Sequence, residues 1–401
     1  MPKRRILILD DDPNVGQTIQ WIAESLEFDA EFVTEATEFF EKLVQTCPDI
    51  ITIDLIMPEL DGVEIMRLLA ERKCRARIII SSGMGTRVLD AAERSATEHG
   101  LNVVGILSKP ITKESLRRLV GDGNGLAHST QVEETLTLPE ADGIGKAELQ
   151  RALDQHQIGV VFQPKIHCRN GAAEGFEALA RWNHPEKGTI MPDSFIPVAE
   201  EAGLIDVLTA QVFERSLAWF AAACVGNELK LSLNLSPKSL VDLHLADRLS
   251  ALCNEYRVAP EGVVLELTES TAMVDPMLSL DLMTRFRVKG FHLSIDDFGT
   301  GYSSMLQLVR LPFSEIKIDK SFVIQAQQSR ESRTVIKSVV DLGHSLGLTV
   351  TAEGVEDTET LGYLKSLGCD LAQGYFIARP MPGEAASEWF RQRMPEPDRS
   401  N

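Results

Sequence analysis

The sequence has few cysteines, and none of them lie close enough together to form a motif. The six cysteines are spread over 401 residues without a Cys-x-x-Cys spacing, which argues against a zinc knuckle or a thioredoxin-like redox pair. Scattered thiols without a disulfide framework are typical of a reducing compartment. We therefore expect a cytoplasmic protein.

Long hydrophobic runs and positive charge are also scarce. The apolar stretch 217–225 is far too short for a membrane span, and the apolar run 6–9 after the basic N-terminus is too short for a signal peptide. The net charge is −19, which disfavours binding to DNA or to an anionic membrane surface. We expect neither direct DNA binding nor a membrane span.

The sequence does contain a regular alternation of short apolar runs and amphipathic stretches. Five such pairs fill the N-terminal part, with apolar runs at 6–9, 31–33, 50–53, 78–80 and 103–107. This alternation predicts a doubly wound, five-stranded parallel sheet in an α/β domain over residues 4–122. The following stretch, 123–145, contains several glycines together with Ser, Thr, Glu and Pro residues and is typical of a linker.

The alternation resumes over residues 146–393 and is longer there. Apolar runs occur at 159–162, 229–233, 263–267, 291–295, 316–318 and 348–351, and a last strand is expected around Tyr375–Ala378. A domain of this size with repeated strand–helix units favours a TIM-like (β/α)₈ barrel over a second open sheet.

Three acidic residues and a lysine follow strands of the first domain. Asp10 and Asp11 come after the first strand, Asp54 ends the third, and Lys109 follows the last. Because the carboxyl ends of parallel strands share one edge of the sheet, these side chains should meet in one crevice. Such a group can bind a divalent cation and accept a phosphoryl group. Helix capping would explain one aspartate, but not all of them together with the lysine.

On these residues the first domain resembles the receiver domain of two-component response regulators. The resemblance implies Asp10, Asp11 and Asp54 as ligands of one Mg²⁺, Asp54 as phosphoacceptor and Lys109 as its phosphate partner. It also implies a sensor histidine kinase as phosphodonor. A switch hydroxyl is expected at the end of the fourth strand, where Ser82 is preferred and the adjacent Ser81 remains open. The aromatic residue that many receivers carry shortly before the lysine is replaced here by Ile106-Leu107-Ser108.

Acidic and amide residues also end the apolar runs of the second domain, where barrel active sites lie. They are Glu177, Asn234, Glu266, Asp296, Asp297, Glu353 and Gln373, with Lys317 among them. Converging carboxylates repel one another unless cations lie between them. Since all the candidate ligands are oxygens, Mg²⁺ or Mn²⁺ is favoured over Zn²⁺. Strand ends that merely cap helices are the alternative, which the number of such residues disfavours.

The second domain resembles the EAL-domain family of cyclic di-GMP phosphodiesterases. The resemblance rests on Glu177-Ala178-Leu179, Phe162-Gln163-Pro164, the run 296–304 (DDFGTGYSS), Lys317-Ile318-Asp319 and Gln373-Gly374-Tyr375. Family members that only bind the nucleotide have lost the first Glu, the Asp pair or the Lys. This sequence retains all of them. The resemblance implies a homo-oligomer, dimeric or larger, and hydrolysis of cyclic di-GMP to linear pGpG.

The same resemblance assigns a role to each matching residue. Two divalent ions would be bound, and Lys317 would position the attacking water. Gln163 and Arg181 would contact the dinucleotide, and Glu269 would anchor the 297–304 loop. The metal ligands would be Glu177, Asn234, Glu266 and Asp296 for one ion and Asp296, Asp297 and Glu353 for the other, with Glu356 and Gln373 supporting the metal–water network.

Three functions are consistent with this sequence. The first is a phosphodiesterase whose activity changes when Asp54 is phosphorylated, through dimer geometry and the 297–304 loop. The second is a cyclic di-GMP sensor that does not hydrolyse the nucleotide and acts through protein partners. The third is a phosphorylation-controlled scaffold that ignores the nucleotide. The retained acidic residues favour the first.

Overall fold

The protein is described by a computed structural model that covers residues 4–58, 60–84, 86–109, 111–120, 144–224, 228–268, 276–299 and 305–393. The chain divides into two compact units. The first contains the N-terminal part and residues 280–289, and the second contains the remainder of the C-terminal part. The predicted linker 123–145 lies outside the described residues, apart from its last two positions.

The first unit is built on a parallel sheet of five described strands in the order β2-β1-β3-β4-β5, which confirms the predicted doubly wound fold. The strands are β1 Arg5–Leu9, β2 Asp29–Val33, β3 Ile50–Asp54, β4 Arg77–Ser82 and β5 Asn102–Ser108. The helices that connect and follow them are α1 Pro13–Glu24, α2 Ala36–Thr46, α3 Gly62–Glu71, α4 Thr86–Glu98 and α5 Lys113–Val120.

Both faces of this sheet are buried, because successive residues of each strand point to opposite sides. In β1, Leu7 and Leu9 belong to one hydrophobic cluster, whereas Ile6 and Ile8 belong to another. This explains why β1, β3 and β4 contain continuous apolar runs instead of alternating apolar and polar residues. The rigid sheet fixes the carboxyl ends of β1, β3 and β5, where the acidic residues lie.

Residues 280–289 of helix α10 (Pro276–Val288) belong to the first unit. Arg285 Nε donates to Asp61 Oδ2 at 2.9 Å, next to the start of α3. Asp281 is hydrogen bonded to Ser95, and its Oδ2 lies 2.5 Å from His99 Nε2. The side chains of Asp281 and Arg285 are almost fully buried, so these contacts belong to the interior of the unit.

The second unit is a barrel whose strands and helices alternate for most of its length. Its strands are β6 Ile158–His167, β7 Ala173–His184, β8 Gly188–Ile190, β9 Lys230–Asn234, β10 Val263–Thr268, β11 His292–Phe298, β12 Glu315–Ile318, β13 Thr349–Ala352 and β14 Leu371–Ala372. Its helices, besides the start of α10, are α6 Lys146–Asp154, α7 Pro192–Ala202, α8 Ile205–Ala223, α9 Leu245–Tyr256, α11 Met305–Arg310, α12 Lys320–Gln325, α13 Arg330–Ser345, α14 Thr358–Ser366 and α15 Gly383–Arg391, with 3₁₀ helices at Pro237–Val241 and Pro260–Gly262.

Eight of these strands close the barrel, in agreement with the predicted TIM-like architecture, and β8 pairs only with β7. One strand departs from the simple (β/α)₈ pattern. β6 runs antiparallel to both β7 and β14, while the remaining neighbours in the ring are parallel. The reason is its connection: a tight turn, with Gly171 N donating to His167 O at 2.8 Å, joins β6 to β7 without a helix. A strand that returns through a hairpin must be antiparallel.

The expected last strand at Tyr375–Ala378 is wrong. The last strand is Leu371–Ala372, and the chain then turns, with Phe376 N donating to Val355 O at 3.0 Å and Ala378 N to Gly374 O at 3.1 Å. Tyr375 and Phe376 are largely exposed, so their apolar character does not reflect burial in a sheet. Within the described part of the chain, no helix has both the length and the apolar character needed to cross a membrane.

Candidate functional site

The acidic residues of the first unit meet at the carboxyl edge of its sheet. Lys109 Nζ lies 2.8 Å from Asp54 Oδ2 and 3.0 Å from Asp10 Oδ2. Asp10, Asp11 and Asp54 each offer a carboxylate oxygen, and these oxygens lie within 4.8 Å of one another. The structure thus brings together all four residues that the sequence singled out.

Burial and the lysine act in opposite directions on the two inner carboxyls. Burial raises the pKa of Asp54 and of Asp10, and the hydrogen bonds from Lys109 only partly offset that effect. The same two hydrogen bonds raise the pKa of Lys109, although its burial alone would lower it. A cluster with more negative than positive charge in a partly buried crevice fits a hard divalent cation with oxygen ligands.

A glycine allows the chain to approach Asp54 closely. A Cβ atom on Gly62 would lie 2.5 Å from Asp54 O, which no side chain tolerates. On β4, Ser81 is paired with Asp54, while Ser82 Oγ accepts from Met84 N at 3.2 Å. Both serines are buried at the end of the strand, so the choice of Ser82 as the switch residue stays a prediction.

In the barrel, a buried lysine lies close to carboxylates from four different strands. Lys317 Nζ lies 2.6 Å from both Glu266 Oε2 and Glu353 Oε1, 3.1 Å from Asp296 Oδ1 and 3.8 Å from Glu177 Oε2. The Lys317 side chain is only 1% exposed. Glu177, Glu266, Asp296 and Glu353 lie on or directly after β7, β10, β11 and β13, so the parallel strands themselves position the cluster.

Amide side chains extend the cluster around Glu177. Asn234 Nδ2 donates to Glu177 Oε1 at 2.9 Å, and Gln373 Nε2 donates to Glu177 Oε2 at 2.6 Å. Gln373 Nε2 also donates to Gln163 Oε1 at 3.0 Å. Gln163 lies on β6, where it is paired with Glu177 of β7. Both oxygens of Glu177 are therefore held by neutral donors, which fixes the direction of its carboxylate.

A second group of oxygens lies beside this cluster. Asp296, Asp297 and Glu353 each offer one carboxylate oxygen within 4.8 Å of the others. Asp297 has a positive φ of 53°, a strained conformation for a residue with a side chain, and such strain clusters at functional sites. The segments that follow Glu353 and Gln373 also pack closely against each other, because a Cβ on Gly374 would lie 2.1 Å from Val355 O.

The carboxyl groups differ in how their surroundings change their pKa values. Burial raises the pKa of Glu177 to about 7 and holds that of Glu353 well above its usual value, despite the attraction of Lys317. Burial also acts on Glu266, but Lys317 and Lys165 outweigh it and lower the pKa of Glu266 to about 2. The surroundings therefore favour the anion of Glu266, whereas they disfavour the anions of Glu177 and Glu353 until more positive charge is bound.

Among the described residues, Arg181 and Glu356 take no part in the hydrogen bonds and ion pairs of this network. Arg181 Nη1 donates to the neighbouring Ala180 O at 2.7 Å. Glu356 is exposed three residues beyond Glu353. Glu269 and positions 300–304 of the predicted loop lie outside the described residues. Their predicted roles remain predictions.

Sequence reasoning missed Lys165, which lies beneath this cluster. Its side chain is fully buried, and its Nζ lies 3.3 Å from Glu266 Oε1. The available signal was a lysine within the mostly apolar strand β6, since a lysine is almost never fully buried unless it is paired.

A cavity of about 540 Å³ lies elsewhere in the barrel unit. His167, Lys230 and Thr349, which line it, stand at the last position of antiparallel β6 and the first positions of β9 and β13. These positions mark the amino-terminal end of the parallel strands. The cavity is therefore at the opposite end of the barrel from the carboxylate cluster and plays no part in that site.

Two family models match the chain. The model for the EAL domain matches residues 146–380, more than half of the chain, and the response regulator receiver domain matches residues 6–121. The chain belongs to the EAL-domain family and carries a receiver domain. Both resemblances noted in the sequence are thus confirmed, whereas the predicted outer limits 4–122 and 146–393 remain predictions.

One relative is similar to this EAL protein over nearly the full length of both chains. The cyclic di-GMP phosphodiesterase RocR of Pseudomonas aeruginosa is 35% identical over 94% of this chain and 96% of its own. The bifunctional diguanylate cyclase/cyclic di-GMP phosphodiesterase MucR of the same organism is 38% identical over 59% of this chain, but only 35% of its own length is covered.

Solved structures agree with the barrel assignment. A MucR phosphodiesterase structure in complex with cyclic di-GMP covers 60% of this chain and 98% of its own, with 37% identity and a TM-score of 0.57. The FimX EAL domain of P. aeruginosa bound to cyclic di-GMP covers 59% of this chain and 95% of its own, with 28% identity and a TM-score of 0.54.

Proposed function

We propose that this protein is a response regulator whose EAL domain hydrolyses cyclic di-GMP to linear pGpG. One water adds across one P–O3′ bond of the cyclic dinucleotide, which leaves a 5′-phosphate and a free 3′-hydroxyl. The observation that carries the proposal is the network in which Lys317 joins Glu266, Glu353 and Asp296 at the carboxyl ends of the barrel strands. Support for the substrate comes from the similarity to RocR, a cyclic di-GMP phosphodiesterase.

Two Mg²⁺ or Mn²⁺ ions fit the chemistry of this donor set, which consists of oxygens. The grouped oxygens of Asp296, Asp297 and Glu353 support a site between them, and the proposed ligands of the other ion are Glu177, Asn234, Glu266 and Asp296. When bound, such ions supply positive charge that lowers the pKa of water and stabilises a phosphodiester transition state.

The residues of the chain itself have separate tasks in this proposal. Lys317 orients the attacking water by hydrogen bonding and offsets phosphate charge. Gln373 holds Glu177 in place through the 2.6 Å hydrogen bond, and Glu356 supports the surrounding network from the exposed side. Gln163 and Arg181 contact the dinucleotide, and Glu269 anchors the 297–304 loop.

We also propose that the receiver controls this activity. A sensor histidine kinase would phosphorylate Asp54, with one Mg²⁺ held by Asp10, Asp11 and Asp54, and Lys109 and Ser82 would contact the transferred phosphoryl group. The 2.8 Å contact between Lys109 and Asp54 supports that arrangement. A homo-oligomer, dimeric or larger, would carry the change to the EAL site through the 297–304 loop. All six cysteines are free thiols, which supports a cytoplasmic location.

Turnover in ¹⁸O-labelled water tests the enzymatic proposal. The purified protein is incubated with cyclic di-GMP and Mg²⁺, with and without acetyl phosphate, and nucleotides are separated by anion-exchange chromatography and mass spectrometry. We expect pGpG with one ¹⁸O in its 5′-phosphate, formed at a rate that changes with acetyl phosphate. Glu177→Gln should abolish turnover, whereas the same exchange at exposed Glu186 should not.

The other outcomes select among the alternatives. Tight binding of cyclic di-GMP without conversion in either phosphorylation state would contradict the enzyme and favour a sensor that acts through protein partners. The absence of both binding and conversion would favour a phosphorylation-controlled scaffold. Conversion that ignores acetyl phosphate would retain the enzyme and contradict the regulation.

A further inference from the structure

Lys165 is a buried cation for which the proposed reaction has no use. Its side chain is 0% exposed, and its Nζ donates to Ser232 Oγ at 2.5 Å. The same nitrogen lies 3.3 Å from Glu266 Oε1 and 3.4 Å from Glu315 Oε1. A lysine that is removed from water to this extent needs compensating partners, and it has three within the barrel.

These partners form a polar layer inside the barrel. Thr351 Oγ1 donates to Glu315 Oε1 at 2.6 Å, so strands β6, β9, β10, β12 and β13 all contribute to the layer. Barrel interiors are usually filled by branched apolar side chains. A buried ion pair is often no more stable than apolar packing of the same volume, so stability alone is a weak explanation for this layer.

The layer lies directly below the carboxylate cluster. The mouth of the barrel is the end at which the parallel strands have their carboxyl ends. Along β6, Gln163 is paired with Glu177, and Lys165 is paired with Gly175, which lies two residues further from that mouth. Along β12, Glu315 likewise lies two residues before Lys317 and therefore on the same face of the strand. The two lysines therefore belong to successive layers of the barrel interior.

Glu266 connects the two layers. Its Oε2 lies 2.6 Å from Lys317 and its Oε1 lies 3.3 Å from Lys165. Both oxygens are thus held by ammonium groups, one from the mouth and one from below. The contact from below does not depend on any group that faces the substrate side.

We propose that Lys165 is a positioning residue, which fixes the orientation of Glu266 from beneath and so prepares it to bind a metal ion. The inference rests on the proposed function, in which Glu266 is a metal ligand. Groups that orient a ligating side chain typically contribute 10- to 100-fold in metal affinity. Lys165 acts through Glu266 and touches neither substrate nor ion.

A double substitution isolates this effect from simple electrostatics. Lys165→Met alone removes a nearby positive charge, which would by itself favour a bound cation and hide a loss of positioning. Lys165→Met with Glu315→Gln removes one charge of each sign and leaves the net charge unchanged. It also avoids leaving Glu315 as a buried anion without its partner, which would threaten folding.

The measurement is Mn²⁺ binding by calorimetry in the absence of nucleotide, so it does not depend on turnover. Every protein compared carries Asp11→Asn, which removes a proposed ligand of the receiver site. We expect the Kd of the barrel for Mn²⁺ to rise by about 10- to 100-fold in the double variant. Its metal-free thermal unfolding should remain cooperative. Lys187→Met, at an exposed lysine that pairs with Glu148, serves as the matched control and should leave the Kd unchanged.

The outcomes separate this inference from the proposed function. If the protein with intact Lys165 binds no Mn²⁺ in the barrel, the metal-dependent function itself fails. If that protein binds Mn²⁺ and the double variant binds it equally well or more tightly, the positioning role of Lys165 is overturned. If the double variant does not unfold cooperatively, Lys165→Gln with Glu315→Gln replaces it, and unchanged affinity there overturns the inference equally.

Discussion

The protein uses the same chemical combination twice, a lysine among carboxylates at the carboxyl ends of parallel strands, in two different settings. In the receiver, Lys109 is 25% exposed and contacts Asp10 and Asp54. In the barrel, Lys317 is 1% exposed and its neighbours include Glu266 and Glu353 at 2.6 Å. The residue types are alike, whereas the burial of the lysine differs greatly.

The difference shows how burial changes the use of a charge cluster. A half-buried lysine remains accessible from solvent, as is needed where a phosphodonor must deliver a group to Asp54. A fully buried lysine interacts with its partners in a low-dielectric surrounding, where charges act more strongly on one another and are costly to leave unpaired. We therefore expect the barrel cluster to tolerate changes less well than the receiver cluster.

The largest effect is expected from Lys317→Met. Loss of this cation removes the ion-pair partner of Glu353 and Asp296 and leaves Glu266 with Lys165 alone, so the free energy of unfolding of the metal-free barrel should fall by about 3–5 kcal/mol. Turnover should fall by at least about 100-fold, as for other preorganised groups that stabilise developing charge. Denaturant unfolding in EDTA and a hydrolysis assay in Mg²⁺ measure the two effects.

The same exchange in the receiver provides the comparison. Lys109→Met should lower the unfolding free energy by less, about 1 kcal/mol, since the lysine it removes is partly solvated. Equal losses at Lys109 and Lys317 would contradict the role that we assign to burial.

The next effect in size concerns the metal. Asp297→Asn removes one of three grouped carboxylates, so we expect the Mg²⁺ concentration that gives half-maximal turnover to rise by about 10- to 100-fold. The control is Asp154→Asn, at an exposed helix end. A changed maximal rate with an unchanged Mg²⁺ requirement would place Asp297 outside the ion's ligands.

A smaller effect on stability, but a complete one on signalling, is expected from Asp54→Asn. The substitution keeps the shape of the side chain and replaces the nucleophilic carboxylate with a neutral amide, so labelling by acetyl phosphate should be lost. The barrel should retain its turnover in the absence of the donor. Phosphate-affinity electrophoresis measures the labelling, and residual labelling would show that another residue accepts the phosphoryl group.

The smallest effect concerns pH and the first unit. The hydrogen bond that the ring of His99 donates to the Asp281 carboxylate raises the pKa of His99, against the opposing effect of burial. Because the pKa is higher in the folded state, this interaction stabilises the unit fully below the ordinary histidine pKa of about 6.5 and is lost as the pH rises through the folded-state value. Asp281→Asn should lower the pKa of His99 in an NMR titration, and an unchanged pKa would contradict the assignment.

Much of the fold followed from local patterns. Alternating apolar runs predicted the five-stranded receiver sheet, and the runs 50–53 and 78–80 lie within strands β3 and β4. The prediction failed at Tyr375–Ala378, where two aromatic residues imitated a strand although the chain turns there with both side chains exposed. Local apolar character cannot by itself distinguish a buried strand from an exposed aromatic turn.

The sequence by itself determined the two domains, the two families and the acidic residues that end the strands, because strand periodicity and motif spacing are local properties of the chain. Only the tertiary structure decided which oxygen faces which lysine, that β6 runs antiparallel, and that Lys165 lies beneath the site. The contacts of Lys165 with Glu266 and Glu315 join residues 101 and 150 positions apart. Such contacts depend on closure of the barrel, which places β6 across the interior from β10 and β12.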